Sequence, residues 1–124
     1  MRSDRFREFL ERYPVKSYRK GEIILFQGEA PLSAYVVKEG VIKAYNLSTS
    51  GDEKPIAFYS PGSLFPGSWV FGRVPSAIYY YEAFTDADLY YLPPEDYLQF
   101  IKNDPELLFA ELEEYVADDV SKTM

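Results

Sequence analysis

The residues most suited to chemistry lie between positions 58 and 82, where glycine, proline and aromatic side chains are concentrated. Strand-like sequences flank this segment, which is too long for a hairpin turn and too apolar for a solvated loop. Loops normally run over the surface, because buried backbone requires hydrogen-bond partners. An apolar loop of this kind predicts the wall of a small-molecule pocket. The alternative is a plug that closes one end of a β-barrel.

Catalytic chemistry fits the composition poorly. The chain contains no histidine and no cysteine, which removes the commonest general base, the commonest metal ligand and every thiolate. Its carboxylates are spread over predicted turns, and Glu82, at the end of a strand, is the one that can reach the interior. We therefore predict no enzyme, no metal and no cofactor, and a cupin-like metalloenzyme is only a third hypothesis.

Charge and hydropathy restrict the partners. The net charge is -7 and the pI is about 4.6, which argues against nucleic-acid binding by these residues, since phosphate contacts require clustered lysine and arginine. No segment resembles a signal peptide or a membrane span. A single domain over residues 1–124, in the cytoplasm and without membrane contact, is expected.

The elements that must position the central segment are mostly strands. From Val15 the apolar pattern has a period of two, and short strand-like runs between turn residues predict an all-β sandwich or barrel. Glu39-Gly40 predicts a hairpin turn with a positive φ at the glycine. The predicted strands are Val15–Arg19, Ile23–Gln27, Ser33–Lys38, Val41–Leu47, Pro55–Tyr59, Ala77–Ala83 and Asp88–Leu92.

Helical patterns precede and follow the strands. Residues 3–13 predict a short amphipathic helix, and residues 95–102 predict a second one. Pro105 begins a final predicted helix that runs towards Val120. Its apolar stripe, which suits packing on the strands or pairing with a second subunit, consists of Leu108, Leu112, Tyr115 and Val116.

Five short motifs then follow one another in a recognisable order. They are K-G-E-I-I-L-F-Q-G-E from Lys20, A-Y-V-V-K-E-G-V-I-K from Ala34, G-x-E from Gly51, P-G-x-x-F from Pro61 and T-D-A-x-L-x-x-L-P from Thr85. Together they resemble the cyclic-nucleotide-binding domain, and in particular the N-terminal sensor half of the Crp/Fnr transcription regulators.

The resemblance implies a mainly β fold, an eight-stranded jelly-roll with flanking helices. Residues 1–14 would form the N-terminal helix, residues 15–93 the β-roll with a phosphate-binding cassette at 61–77, and residues 95–120 the C-terminal helices. The last helix would join two subunits in a homodimer. DNA would be bound only through a module beyond Met124, where we expect the natural protein to continue.

The cassette departs from the pattern that the resemblance implies. Members that bind cyclic AMP carry Gly-Glu at its start, for the ribose hydroxyl, and Arg-Ser or Arg-Thr at its end, for the phosphate. Here the first pair is Gly67-Ser68, and Pro75 stands before Ser76 in place of the arginine. A buried phosphate without its arginine costs several kcal/mol, on the order of 3 kcal/mol or more. We therefore predict weak or absent cyclic-nucleotide binding.

Two interpretations of the pocket remain open. The first is a site for an apolar or aromatic small-molecule effector, and the second is a self-filled pocket in a stand-alone interaction or scaffold domain. The candidate pocket residues are Phe58, Gly62, Leu64, Phe65, Gly67, Ser68, Trp69, Arg73, Ser76, Ala77 and Tyr79. Arg73 is the one cation in the segment and fits either a ligand contact or an exposed loop.

Overall fold

Two four-stranded antiparallel sheets form the body of the protein in the computed structural model, which describes residues 4–106 and residue 109. The strands are β1 (Val15–Tyr18), β2 (Ile23–Leu25), β3 (Ala34–Glu39), β4 (Ile42–Leu47), β5 (Glu53–Tyr59), β6 (Leu64–Phe65), β7 (Tyr80–Ala83) and β8 (Ala87–Leu92). The helices with both ends defined in this part of the chain are α1 (Asp4–Leu10), α2 (Gly67–Val70) and α3 (Pro94–Lys102). The prediction of a mainly β, eight-stranded roll with flanking helices is confirmed.

The first sheet has the strand order β1-β8-β3-β6 and the second has the order β2-β7-β4-β5. Strand alternation sends every second side chain into the space between them. In the second sheet, for example, Ile42 lies opposite Tyr59 on one side and Ala83 on the other, and all three are buried. The core of the roll therefore lies between the two sheets.

β6 is the strand that the sequence patterns missed. It contains only Leu64 and Phe65, which pair with Val36 and Tyr35 of β3. Two residues are too few to show a period, so no alternation signal exists for such a strand. β7 also begins at Tyr80, three residues later than the predicted strand that started at Ala77.

A second core lies under the helices. Phe6, Phe9 and Leu10 of α1 are buried in one cluster with Tyr97 and Ile101 of α3. The Phe9 ring also stacks on the ring of Phe100, with 4.2 Å between centroids. Outside the cluster, the Arg5 guanidinium lies 2.6 Å from the carboxylate of Asp104. α1 and α3 are therefore held to the roll as one unit.

Of the final helix predicted from Pro105, the described residues Pro105, Glu106 and Phe109 are helical. Leu108, Leu112, Tyr115 and Val116 lie outside the described residues, as does Ser3. Among the residues that are described, no helix has the length and apolar character required to cross a bilayer.

Candidate functional site

Backbone hydrogen bonds fix both ends of the central segment. At its start, the Gly62 amide donates to the Val37 carbonyl at 2.7 Å, and the Val37 amide donates to the Ser63 carbonyl at 3.0 Å. At its end, the Ala77 amide donates to the Glu29 carbonyl at 2.9 Å. The segment thus begins on β3 of the first sheet and ends on the loop that follows β2 of the second. It closes one side of the space between the sheets.

The helix inside this segment is a single turn. The Val70 amide donates to the Pro66 carbonyl and the Phe71 amide to the Gly67 carbonyl, both at 3.0 Å. Helix dipoles are sums over aligned peptide units, so one turn offers little attraction for an anion. The amides near Gly67 and Ser68 are therefore modest donors at best.

Side chains from the segment divide between the two cores. Phe65, Ala77 and Tyr79 join the cluster between the sheets. Leu64 and Trp69 pack instead against the cluster under α1 and α3. The segment therefore couples the interior of the roll to the helices, and its aromatic residues do not line one common cavity.

Rings from four strands fill the interior next to the segment. Phe65 is completely buried and stacks on Tyr81 at 5.0 Å and on Tyr35 at 5.2 Å between centroids. The Tyr59 ring lies 5.6 Å from the ring of Phe65. Tyr35 and Tyr59 were not among the predicted pocket residues, although alternation along β3 and β5 could have identified them. Along Tyr79-Tyr80-Tyr81 the side chains alternate, since Tyr79 and Tyr81 are buried in the inner core and Tyr80 faces outward.

The remaining predicted pocket residues occupy several environments. Gly62 is buried at the first anchor, whereas Gly67, Ser68 and Ser76 are half-buried. Arg73 is exposed, which agrees with the exposed-loop interpretation of its charge. Phe58 is not brought together with the others. Its ring is 55% exposed on the opposite side of β5 and contacts Phe84.

A compact polar group occupies the outer side of the second sheet. The Lys43 ammonium lies 2.7 Å from Glu53 and 3.8 Å from Glu82, and the Tyr45 hydroxyl donates to Glu82 at 3.2 Å. The hypothesis that Glu82 reaches the interior is therefore wrong, because its place opposite Lys43 puts it on the outward-facing row of β7. Burial of the ring, followed by the charge of Glu82, raises the pKa of Tyr45 to about 12.

We expect the protein to lose stability in strongly alkaline solution. Burial raises the pKa of Tyr35 as well as that of Tyr45 from 10.0 to about 12. Between pH 10 and about 12 the unfolded chain loses protons that the folded chain keeps, so the free energy of unfolding falls as pH rises. Each hydroxyl contributes a slope of at most about 1.4 kcal/mol per pH unit. Urea melts across this window measure the slope, Tyr45→Phe should reduce it, and a flat profile would contradict the prediction.

One surface depression lies at the β3–β4 turn, away from the anchors of the central segment. Its volume is about 310 Å³, and it is lined by Glu39, Gly40, Asp86, Ala87 and Asp88. Three carboxylates would repel a phosphate or another anion. Within residues 4–106 and at 109, no group of histidine, cysteine or carboxylate side chains is arranged to hold a metal ion.

The sequence matches the cyclic nucleotide-binding domain family over residues 15–104. It is 41% identical to the regulatory protein HlyX of Actinobacillus pleuropneumoniae over 49 residues, which cover 40% of this chain and 20% of that protein. It is 29% identical to the cyclic AMP receptor protein of Thermus thermophilus over 99 residues, which cover 77% of this chain and 44% of that protein. The crystal structure of the Thermus thermophilus catabolite activator protein is similar with a TM-score of 0.76 at 24% identity, over 98% of this chain and 57% of that one. The chain thus spans less than half the length of these two curated relatives.

Proposed function

Because this chain belongs to the cyclic nucleotide-binding domain family and is homologous to Crp/Fnr regulators, we propose that it is the effector-sensing domain of such a transcription regulator. The main support for this proposal is the position of the central segment between the interior of the roll and the helices. The central segment is anchored on both sheets, contributes Phe65 to the interior and packs Trp69 towards α1 and α3. A change in the interior can therefore reach the helices through this segment.

The proposed effector is an apolar or aromatic small molecule, and cyclic-nucleotide binding is proposed to be weak or absent. Arg73 is exposed, and Pro75, which stands where the resembled cassette carries arginine, is exposed as well. Apart from the exposed Arg73, residues 58–82 offer a cyclic phosphate no cation, and its donors there would be the hydroxyls of half-buried Ser68 and Ser76 and backbone amides. Charge-assisted hydrogen bonds are about twice as strong as neutral ones, so the absence of a guanidinium partner should greatly weaken the binding of the phosphate.

We expect cyclic AMP and cyclic GMP to leave the melting temperature unchanged. A ligand present at a hundred times its dissociation constant stabilises the folded state by about 2.7 kcal/mol, which is several degrees for a domain of this size. Thermal melts with and without about 1 mM of each nucleotide therefore detect dissociation constants near 10 µM. A shift of several degrees would contradict the proposal.

A designed variant provides the positive control. Ser68→Glu combined with Pro75→Arg places a carboxylate and a guanidinium at the two positions where the resembled cassette carries them. We expect this double variant to gain a cyclic-nucleotide-dependent shift. If the parent and the variant both fail to respond while the variant folds normally, the filled interior rather than the missing charges accounts for the lack of binding.

Dimerisation and DNA binding belong to the same proposal. The homodimer is proposed to form through the C-terminal helix, with Leu108, Leu112, Tyr115 and Val116 at the interface. DNA would be bound by a separate module, and a cytoplasmic location and the absence of catalytic activity follow from the same assignment. Relatives named as regulatory and cyclic AMP receptor proteins support it.

The second candidate function is a stand-alone interaction or scaffold domain with a pocket filled by its own side chains. The stacking of Phe65 between Tyr35 and Tyr81 favours it, because these rings occupy the space that a ligand would need. A small molecule that co-purifies with the protein and raises its melting temperature would exclude it.

A further inference from the structure

Aromatic residues cover the outer side of the second sheet. We define this outer aromatic face as Phe26, Tyr45, Phe58, Tyr80 and Phe84. Their neighbours in sequence on β4, β5 and β7 point the other way, as the burial of Ala44, Tyr59 and Tyr81 in the inner core shows. The outer side of an antiparallel sheet normally carries polar side chains, because it faces water.

Ring contacts link these residues into two groups. Tyr45 stacks on Tyr80 at 5.3 Å between centroids, and Phe26 meets Tyr80 edge-on at 6.2 Å. Phe58 meets Phe84 edge-on at 5.1 Å. Lys43 connects the groups, since its ammonium lies 5.0 Å from the centroid of Tyr45 and its backbone pairs with Phe58 on β5.

Much of this surface remains open to solvent. Phe26 is 54% exposed, Phe58 is 55% exposed and Phe84 is 47% exposed. A single exposed phenylalanine needs no explanation. Phe58 and Phe84 are exposed rings in contact with each other, and Phe26 is a third exposed ring on the same side, whereas Tyr45 is only 4% exposed and Tyr80 is half-buried. Exposed rings clustered on one side of a sheet are the kind of patch that marks an interaction site.

Charge selects the partner for the outer aromatic face. Its one ammonium, on Lys43, already lies beside the two carboxylates of Glu53 and Glu82, so the local charges sum to a negative value. The whole chain carries a net charge of -7. Nucleic acids and anionic lipid surfaces are therefore repelled at this face, and so is a second copy that presents the same negatively charged face.

We propose that the outer aromatic face docks a basic protein segment that presents arginine beside apolar side chains. A guanidinium stacks on aromatic faces and also pairs with carboxylates through its planar fork of donors. Phe58 and Phe84 offer the ring faces, and Glu53, whose side chain is 47% exposed, offers the carboxylate. Apolar side chains of the same segment would pack on Phe26 and Tyr80.

The test uses the 124-residue chain and a capped pentapeptide, Leu-Arg-Phe-Arg-Leu, followed by amide chemical shifts during titration. We expect shifts confined to β4, β5 and β7 and their flanking turns. Replacing both rings, Phe58→Ser with Phe84→Ser, should weaken binding at least about fivefold, since aromatic anchors dominate such contacts. Leu32→Ser is the matched control, because Leu32 is 94% exposed and lies outside the outer aromatic face.

Four outcomes would overturn the proposal. They are equal binding of a Leu-Glu-Phe-Glu-Leu peptide, unchanged arginine-peptide binding by the double-serine variant, association with phosphatidylglycerol vesicles through the same residues, and a dimer that the double-serine variant abolishes. The last result would assign the face to a second copy of the chain. Circular dichroism of each variant verifies that these surface changes leave the fold intact.

Discussion

Gly40→Ala should destabilise the protein by about 2 to 5 kcal/mol, which lowers the melting temperature by roughly 8 to 20 °C. Gly40 lies in the turn between β3 and β4 with a φ of 88°, where a side chain costs about 1 to 2 kcal/mol. A β-carbon at this position would also lie 2.8 Å from the Cα of Ala87 and closer still to the Asp86 carbonyl oxygen. Backbone atoms cannot rotate away, so the turn or the start of β8 must shift.

Gly51→Ala separates the cost of a side chain at positive φ from the cost of the close approach to residues 86 and 87. Gly51 has a φ of 89°, almost the same as Gly40, but a β-carbon there would meet nothing within 4 Å. We therefore expect Gly51→Ala to cost only the backbone term of about 1 to 2 kcal/mol. Thermal and urea melts of both variants measure the difference. Equal losses at the two positions would show that the close approach of residues 86 and 87 does not determine the effect.

Phe65→Ala should destabilise the protein by about 3 to 5 kcal/mol, or roughly 12 to 20 °C in melting temperature. The ring is completely buried and contacts the rings of Tyr35, Tyr59 and Tyr81 at 5.0 to 5.6 Å. Its removal withdraws apolar area from the core and leaves a cavity that four packed strands can close only in part. Phe58→Ala is the matched control, because the same residue type at 55% exposure should change stability by less than about 1 kcal/mol.

Phe65→Ala also distinguishes a filled interior from an open pocket. A cavity lined by aromatic rings remains dry and binds small aromatic molecules. Toluene should therefore raise the melting temperature of Phe65→Ala and leave that of the parent unchanged. If toluene stabilises the parent equally, the interior already contains an accessible pocket. That result would favour the effector-binding function over the scaffold function.

Local patterns were sufficient for most of the fold. The period of two predicted strands at β3 and β4, and the helical spacing predicted an amphipathic α1, whose Phe6, Phe9 and Leu10 are buried. The positive φ predicted at Gly40 was also found. Each of these features depends on neighbours a few residues away, so a linear pattern contains the information. The short β6 depends on its distant partner β3 and was not predicted, and α1 ends at Leu10, earlier than predicted, in a local turn.

The candidate site depended more on tertiary structure. The sequence identified the segment, the absence of its glutamate and arginine, and Tyr79 as a candidate pocket residue. It could not show that Phe58 faces outward, because alternation puts successive residues of a strand on opposite faces without showing which face is the inner one. For the same reason it could not show that Glu82 lies on the outer row of β7, opposite Lys43. It also could not show that Tyr35 and Tyr59 meet Phe65, since Tyr35 meets it through the pairing of β3 with the short β6 and Tyr59 comes from the other sheet.

The amino-acid sequence by itself therefore determined the strand and helix types, the family and the donors missing from the cassette, because each depends on residue identity and short-range spacing. Only the tertiary structure decided which rings fill the interior and which form the outer aromatic face. The physical reason is that the burial of a side chain depends on what packs over it. In this roll the packing partners of Phe65 come from β3, β5 and β7, which lie far apart in the chain.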